Sequence, residues 1–516
     1  MPNKIRILHL IKSLGRGGAE KLIPETASVH DQTRFEFHCL YFYHQENNIV
    51  DELEAAGIKV HLIPSSNLGL FFQVGKVREF VKEFKIDIIH AHLPWAGILS
   101  RLAGRKLNVP IVYTEHNTWD RYNTISYWGN RLTFKWQDVA IAVSNEVALS
   151  MQLNSIFDPY RRGGRLKVKV IQNGVNTDVF RRETEDGTSL RSEEQSKAIS
   201  SYGTEIQRTE NERPGNQEFG EKKQETRDKR DEIERIEKKR IEILPIPNPQ
   251  SPNLPIPNPQ SLAPNPQSLN PQSPNLPISQ SPNPQSPIPN PQSLNPQSPI
   301  LPIPNPQSLI SNLPTSQSPN LKFQLGIPEE AKVIGKVAVF RSQKRLWIWV
   351  DIAIKILEQC PETHFLLVGD GEWRDRILDQ IRESGKQDHF HWVGVQKQVI
   401  PYLSIMDIYL STSEFEGLPI AMLEAMSCEV PVVATRAGGI GEMVQHGVQG
   451  FLTEIEDYED LVKYAVQLIR DPELHSQFAA AARQRVVEQF SMKRMVRELE
   501  EVYEYVGRKR GFGKRD

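Results

Sequence analysis

Residues 411–439 read STSEFEGLPIAMLEAMSCEVPVVATRAGG, and the rest of the chain is organised around them. The run leading in, DIYLSTS (407–413), and the run leading out, PVVAT (431–435), have the apolar, β-branched composition of buried strands. LPIAMLEAMS (418–427) reads as the helix between them, with Pro419 suited to a first turn, where a missing N–H breaks no bond. Glu416 then lies in the loop at a strand's end, followed by Gly417, and Glu424 lies about one turn inside the helix. In open α/β sheets this edge, where strands end and helices begin, is where ligands bind. Both glutamates could be ordinary solvated charges. Glu424, however, is flanked by Met422, Leu423, Ala425 and Met426, and an unpaired carboxylate in so apolar a helix is unfavourable. The pair is read as part of a site.

Working outward, the same alternation continues on both sides. VIGKVAVF (333–340), HFLLVGDG (364–371), HFHWVG (389–394) and GFLTEI (450–455) read as further strands, with LWIWVDIAIKILEQ among the helices between them. The first third repeats the pattern in IRILHLI (5–11), FEFHCLYF (35–42), KVHLI (59–63), DIIHAH (87–92), PIVYTEH (110–116), VAIAVS (139–144) and KVKVIQN (167–173). Continuous apolar runs alternating with helices predict parallel sheets covered on both faces. The fold class is therefore α/β, with two Rossmann-like doubly wound domains facing a cleft, the favoured place for a small-molecule site. The expected boundaries are 1–180 for the first domain and 323–490 for the second. Residues 491–516 are expected to form a last helix and a basic tail, with Met495, Leu499, Val502, Tyr503 and Val506 along one stripe.

Between the domains the composition collapses. Residues 181–243 hold 32 charged residues, 15 basic and 17 acidic. From 244 to 321 there is no charge and no glycine, yet 24 of the chain's 37 prolines fall there, and Asn-Pro-Gln-Ser recurs eight times at uneven spacing. Proline blocks both helix and central strand, so 181–322 is expected to be a disordered insertion lengthening the inter-domain linker, which loop-closure entropy tolerates. Its Pro-x-x-Pro segments lack the basic neighbours of the usual Pro-rich ligands.

The global figures exclude several classes. A net charge of −2 gives no basic surface for nucleic acid. Three scattered cysteines form neither a disulfide framework nor a Cys-x-x-Cys metal pair. The start lacks a signal-peptide pattern and no apolar run is long enough to cross a bilayer, so the expected location is cytoplasmic, with peripheral contact at the inner face of the membrane.

Other motifs carry chemistry. After the first strand, KSLGRGGAEKL offers Gly15, Gly17 and Gly18 for close backbone approach ahead of a helix N-terminus. His90, His92 and His116 fall at predicted strand ends, without carboxylate or cysteine partners at metal-like spacing, so no metal is expected. His116 is the candidate for a hydroxyl or phosphate partner, and His90 and His92 can equally be solvated loop residues. Arg341, Lys344 and Arg345 form a cationic turn suited to a diphosphate. In VGDGEW, Gly369 and Gly371 allow close approach, and Asp370 suits a turn. Together these fit a nucleotide-linked sugar.

At this point the sequence resembles the group 1 (family 4) retaining glycosyltransferases of the GT-B fold. The resemblance rests on Glu416-x7-Glu424 within EFEGLPIAMLEAMSCEVPVVAT, followed by AGGIGEMV and HGVQGFL, with GRGGAEK, TEHN, VSNEV, QNGVNTDVF, VGDG and VGV in order. It implies catalytic roles for His116, Lys344 and Glu416. It also implies donor contacts by Gly17, Gly18, Arg341, Lys344, Gly369, Glu416, Gly417, Leu418 and Glu424. Glu416 would face the sugar's hydroxyls, Glu424 the ribose and Lys344 the diphosphate, while Gly438, Gly439 and Glu442 occupy the last glycine-rich turn. The last helix would cross back onto the first domain.

The resemblance further implies a nucleotide-sugar donor, no cofactor or metal, no nucleic acid, and a glycan or lipid-linked acceptor in cell-surface polysaccharide or glycolipid synthesis. The chain departs from the pattern at Val339, where an arginine is usual and Arg341 is the neighbouring replacement, at Gln172 and Gly441, where prolines are usual, and at Pro24 inside the first helix. Two other readings stay open: a GT-B sugar-nucleotide epimerase or sugar-phosphate synthase, and a Pro-rich interaction protein with a vestigial transferase.

Overall fold

Apolar side chains on both faces of each strand force both sheets to be covered by helices, and the computed structural model has this arrangement. It describes residues 4–46, 48–66, 69–151, 167–182 and 321–509, which fall in one unit by their contacts. The first sheet contains β1 (Ile5–Leu10), β2 (Phe35–Tyr41), β3 (Lys59–Leu62), β4 (Ile88–His92), β5 (Ile111–Glu115), β6 (Val139–Ala142) and β7 (Lys167–Val170). The second contains β8 (Val333–Val337), β9 (His364–Val368), β10 (Phe390–Trp392), β11 (Ile408–Ser411), β12 (Val432–Thr435) and β13 (Gly450–Thr453). All thirteen predicted runs are strands, a little shorter than the apolar runs that announce them.

The strand orders are β3-β2-β1-β4-β5-β6-β7 and β10-β9-β8-β11-β12-β13, with parallel pairing throughout. In each sheet the order reverses beside the first strand, between β1 and β4 and between β8 and β11. Connections leave in opposite directions at such a point and open a crevice at the carboxyl ends of the strands. The candidate residues 15–18, 341–344 and 411–417 follow β1, β8 and β11, so they border those crevices.

The helix Gly18–Ala27 runs through Pro24, and Pro419 is the N-cap of the helix Ile420–Ser427 rather than a residue of its first turn. The expected insertion, 181–322, falls almost wholly outside the described residues. At its far edge, however, a short helix already begins at Leu321–Gln324.

The helix Met492–Lys509 lies on the first half of the molecule. Met495, Val496, Leu499, Val502, Tyr503 and Val506 pack in one cluster with Leu22, Ile23, Ala27, Phe35 and Phe37. Phe490 O accepts from Val175 N at 2.9 Å and Val175 O accepts from Met492 N at 2.8 Å. Glu500 accepts from His30 at 2.9 Å and from the Asp31 N–H at 3.1 Å. Gly174 is needed for this docking, because a Cβ there would lie 2.8 Å from Ser491 O.

Candidate functional site

Glu416 sits where the β11 loop turns toward the helix Ile420–Ser427, and only 6% of the residue is exposed. Lys344 Nζ donates to both of its carboxylate oxygens at 2.7 Å, and Ser413 Oγ donates to Oε1 at 2.7 Å. Burial alone would raise the carboxyl's pKa. The Lys344 and Lys336 charges and these hydrogen bonds outweigh it and hold the group below its ordinary value. The carboxylate is thus ionised, fixed and lodged at the switch point of the second sheet.

The cationic turn does not act as a block of three. Lys344 ends a short 3-10 turn, Ser342–Lys344, and points at Glu416. Arg345, in left-handed backbone at φ 48°, turns the other way to Glu456 (2.9 Å) and the Tyr458 hydroxyl (2.6 Å). Arg341 is exposed, and its charge acts on Glu20 of the first half, whose carboxyl burial pushes upward. The sequence reading missed Lys336. It stands in β8, 1% exposed, donates to Ser411 Oγ at 2.6 Å and lies 5.0 Å from the Tyr409 ring centre. Its only sequence signal is a single cation inside an otherwise apolar strand.

Glu424 is buried, 3% exposed, on the apolar helix. Burial raises its pKa and the Lys21 charge opposes the rise. Glu25, one turn beyond Lys21, is pushed up to about 8, first by burial and then by the Glu424 charge. Its Oε2 is buried and lacks a hydrogen-bond partner among the described residues. The Glu424 charge thus acts on Glu25 from the opposite half of the molecule, and the Lys21 charge opposes the rise of both.

His116 follows β5 and stays neutral, since burial pushes its pKa down to about 4. Its Nε2 is buried and has no partner among the described residues. The loop is anchored by Glu115, a fully buried carboxylate that the sequence reading also missed. Glu115 accepts from Tyr113 Oη (2.7 Å), Trp119 Nε1 (2.9 Å), the His116 N–H (3.0 Å) and the Tyr122 hydroxyl. Burial raises its pKa, and these donors oppose the rise.

One glycine lets the halves meet, and a second packs behind it. A Cβ on Gly417 would lie 2.2 Å from His116 O, so the loop after Glu416 touches the loop that carries the histidine. Gly438, at φ 58°, packs against Glu416 O, where a Cβ would lie at 1.8 Å. Gly18 approaches Ile420, and Leu418 O accepts from Asn173 Nδ2 at 2.9 Å. Gly17 caps the helix Gly18–Ala27. Gly369, at φ 125°, packs on Ala338 and Gly394 behind these residues. Glu442 reaches across to accept from Asn145 N (2.8 Å), Asn145 Nδ2 (2.9 Å), Glu146 N (3.3 Å) and Gln172 Nε2 (2.8 Å). Gln172, a departure from the expected pattern, is therefore a donor between the two halves.

His90 and His92 are buried in β4, not solvated in a loop. With His9 of β1 they form a cluster whose ligand atoms lie within 4.8 Å of one another, a spacing a metal ion could use. Both ring nitrogens of His90 are engaged, by Tyr503 Oη and Thr114 Oγ1 at 2.7 Å each, and His9 Nδ1 lies 3.0 Å from His92 Nε2. Burial holds all three rings neutral. The cluster reads as a hydrogen-bonded part of the core beneath the helix Met492–Lys509.

Residues 317–485 match the family described as "Glycosyl transferases group 1", and residues 16–179 match "Glycosyltransferase Family 4". The chain belongs to the group 1 glycosyltransferases.

Among curated relatives of this glycosyltransferase is the N-acetyl-alpha-D-glucosaminyl L-malate synthase of Bacillus anthracis. It is 37% identical over 183 residues, 36% of this chain and 48% of that one. The Vi polysaccharide biosynthesis protein VipC/TviE of Salmonella typhi is 33% identical over 139 residues, 26% of this chain and 24% of that one. The chain thus spans no more than about half the length of these relatives. Among solved structures, Anabaena Alr3699/HepE in complex with UDP and glucose aligns with a TM-score of 0.63 at 18% identity, covering 97% of this chain and 100% of that one. Sucrose-phosphate synthase from Thermosynechococcus elongatus aligns at 0.60 and 13%, covering 98% and 99%. The fold of the glycosyltransferase is therefore GT-B, two Rossmann-like domains of parallel sheet and helix.

Proposed function

We propose that the chain is a retaining hexosyltransferase that moves a sugar from a nucleotide-sugar donor to a glycan or lipid-linked acceptor in polysaccharide or glycolipid synthesis. The observation that carries this reading is the Lys344–Glu416 pair at the switch point of the second sheet, against Gly18, His116 and Gly417 at the junction of the halves. In this reading the donor's diphosphate displaces the Lys344 ammonium from Glu416, and the freed carboxylate accepts from sugar hydroxyls. Glu424 holds the ribose. Neutral His116 has an unpartnered ring nitrogen to offer the transferred sugar.

The reaction breaks the bond from the anomeric carbon to the leaving phosphate oxygen and forms one to the acceptor oxygen on the same face. The acceptor's proton passes to the leaving diphosphate. Lys344 stabilises the charge that develops there, which is the largest single contribution such a site makes. In this reading no metal or cofactor takes part, so chelators are expected to leave turnover unchanged.

An acceptor at a membrane surface is supported by one exposed stripe. Ile125 (67%), Trp128 (49%) and Leu132 (50%) lie on one face of the helix Thr124–Thr133. Among the described residues no helix is long and apolar enough to cross a membrane, so contact would be peripheral.

The test incubates the purified chain with UDP-, GDP- and ADP-sugars and follows nucleotide release, with the product's anomeric configuration read by NMR. Release that survives deletion of residues 190–315 but disappears in Glu416→Ala supports the transferase. Release that needs no membrane acceptor favours an epimerase or a sugar-phosphate synthase. No binding or turnover with any donor refutes the reading.

A further inference from the structure

Two side chains connect a buried cation to Glu416. Lys336 Nζ donates to Ser411 Oγ at 2.6 Å, Ser411 Oγ lies 3.2 Å from Ser413 Oγ, and Ser413 Oγ donates to Glu416 Oε1 at 2.7 Å. The ionised carboxylate only accepts, so the Ser413 proton goes to Glu416 and the Ser411 proton to Ser413, and an ammonium, which only donates, completes the line at Ser411. The whole line then points its donors at Glu416. A neutral amine can accept instead, and the Ser411 end of the line is free to reverse. Ser411 and Ser413 are each 0% exposed, which keeps water from replacing either link.

The location matters because the position where the resemblance implies an arginine is Val339, and the other cations of that turn are engaged elsewhere. Arg345 is held by Glu456 and Tyr458, and the Arg341 charge acts on Glu20. Lys344 is left as the one cation of the turn on Glu416, with Lys336 beneath.

We propose that Lys336 is a positioning residue of the donor site, acting through Ser411 and Ser413 to hold Glu416 charged and oriented, so that donor binding is tighter when Lys336 is protonated. The inference rests on the donor reading above and adds to it a control by pH. Burial drives the Lys336 ammonium down from its usual range to about 7, Glu416 opposes that shift and Lys344 adds to it. Tyr409 presents its ring to the ammonium, and burial raises its own hydroxyl well above its ordinary value, so it stays neutral alongside. Glu424 also acts on Tyr409. Lys336 is therefore charged below neutrality and loses its proton as pH rises through about 7.

The experiment titrates UDP, GDP and ADP into the full chain by calorimetry, then follows the tightest of them at about pH 6 and about pH 8 in the wild type, Lys336→Met and Ser413→Ala, with thermal unfolding to confirm that each is folded. A charged Lys336 that tightens binding about tenfold, with the neutral lysine no better than methionine, predicts that the wild type's advantage over Lys336→Met is about tenfold at the lower pH and falls to about twofold at the higher one. Ser413→Ala, which leaves the lysine in place, is expected to flatten the profile in the same way. The ratio cancels the titration of the nucleotide's own phosphates. A wild-type-to-variant ratio that is equal at the two pH values overturns the role of Lys336 while leaving the donor reading intact. A Ser413→Ala profile like the wild type's overturns the relay. A wild type that binds none of the three nucleotides overturns the donor reading and this inference together.

Discussion

Lys344 Nζ stands 2.7 Å from each carboxylate oxygen of Glu416. The resemblance gives these two residues different partners, a diphosphate and a sugar, yet without a donor they satisfy each other. Each therefore keeps the other's charge in place inside a site that is nearly closed to water.

Removing one partner strands the other. Lys344→Ala is expected to destabilise the fold by roughly 3–5 kcal/mol, the usual consequence of leaving a buried charge unpaired. The double variant Lys344→Ala/Glu416→Gln should recover most of that loss without recovering turnover. Urea denaturation of the set checks the stability claim, and nucleotide release checks the activity claim.

Glu25 gives a pH-dependent prediction. Its carboxyl rises from an ordinary 4.5 to about 8 in the folded chain, because of burial and Glu424. A raised folded-state pKa means that its contribution is fully favourable below about 4.5 and is lost as pH climbs toward 8. Glu25→Gln removes the ionising group. The variant's melting temperature should match the wild type's in acid and exceed it increasingly up to about pH 8. An advantage that shrinks with rising pH would contradict the assignment.

Glu115 anchors the His116 loop. Glu115→Ala leaves the hydroxyls of Tyr113 and Tyr122 and the Trp119 indole N–H buried without their acceptor, at about 1–3 kcal/mol for each unsatisfied group. Glu115→Gln keeps an acceptor oxygen and should lose far less. Differential scanning calorimetry separates the two variants, and turnover should follow stability in the alanine variant.

Glu442 holds the halves together with four hydrogen bonds to Asn145, Glu146 and Gln172. Glu442→Ala is expected to weaken nucleotide affinity and to enlarge the radius of gyration in small-angle scattering. Gln172→Ala removes one of the four and should weaken affinity by roughly 1.5–3 kcal/mol at most, the range for a hydrogen bond to a charged group. Unchanged scattering in Glu442→Ala would show that other contacts suffice.

The strands were legible because a parallel sheet buried on both faces leaves nothing but an apolar run, as in FLLV of β9 or VVAT of β12. The Glu416 loop was legible because its two carboxylates frame an apolar helix. Lys336 and Glu115 were not. Each is one charge inside a strand, and what makes it tolerable lies on other segments: Ser411 and Tyr409 for the lysine, Tyr122 and Trp119 for the glutamate. The same limit hid the turning away of Arg345, which depends on Glu456 more than a hundred positions later, and the burial of His90, which depends on Tyr503.

The docking of the helix Met492–Lys509 onto the first half also sets a timetable. During synthesis β1 to β7 emerge long before that helix, and about 320 residues must still be added. At ~5–20 residues per second this is a wait of roughly 15–60 seconds. Through that interval Leu22, Ile23, Phe35 and Phe37 lack the apolar partners that the helix supplies. The nascent chain therefore carries an uncovered greasy face, a target for chaperones, and the long Pro-rich stretch prolongs its exposure.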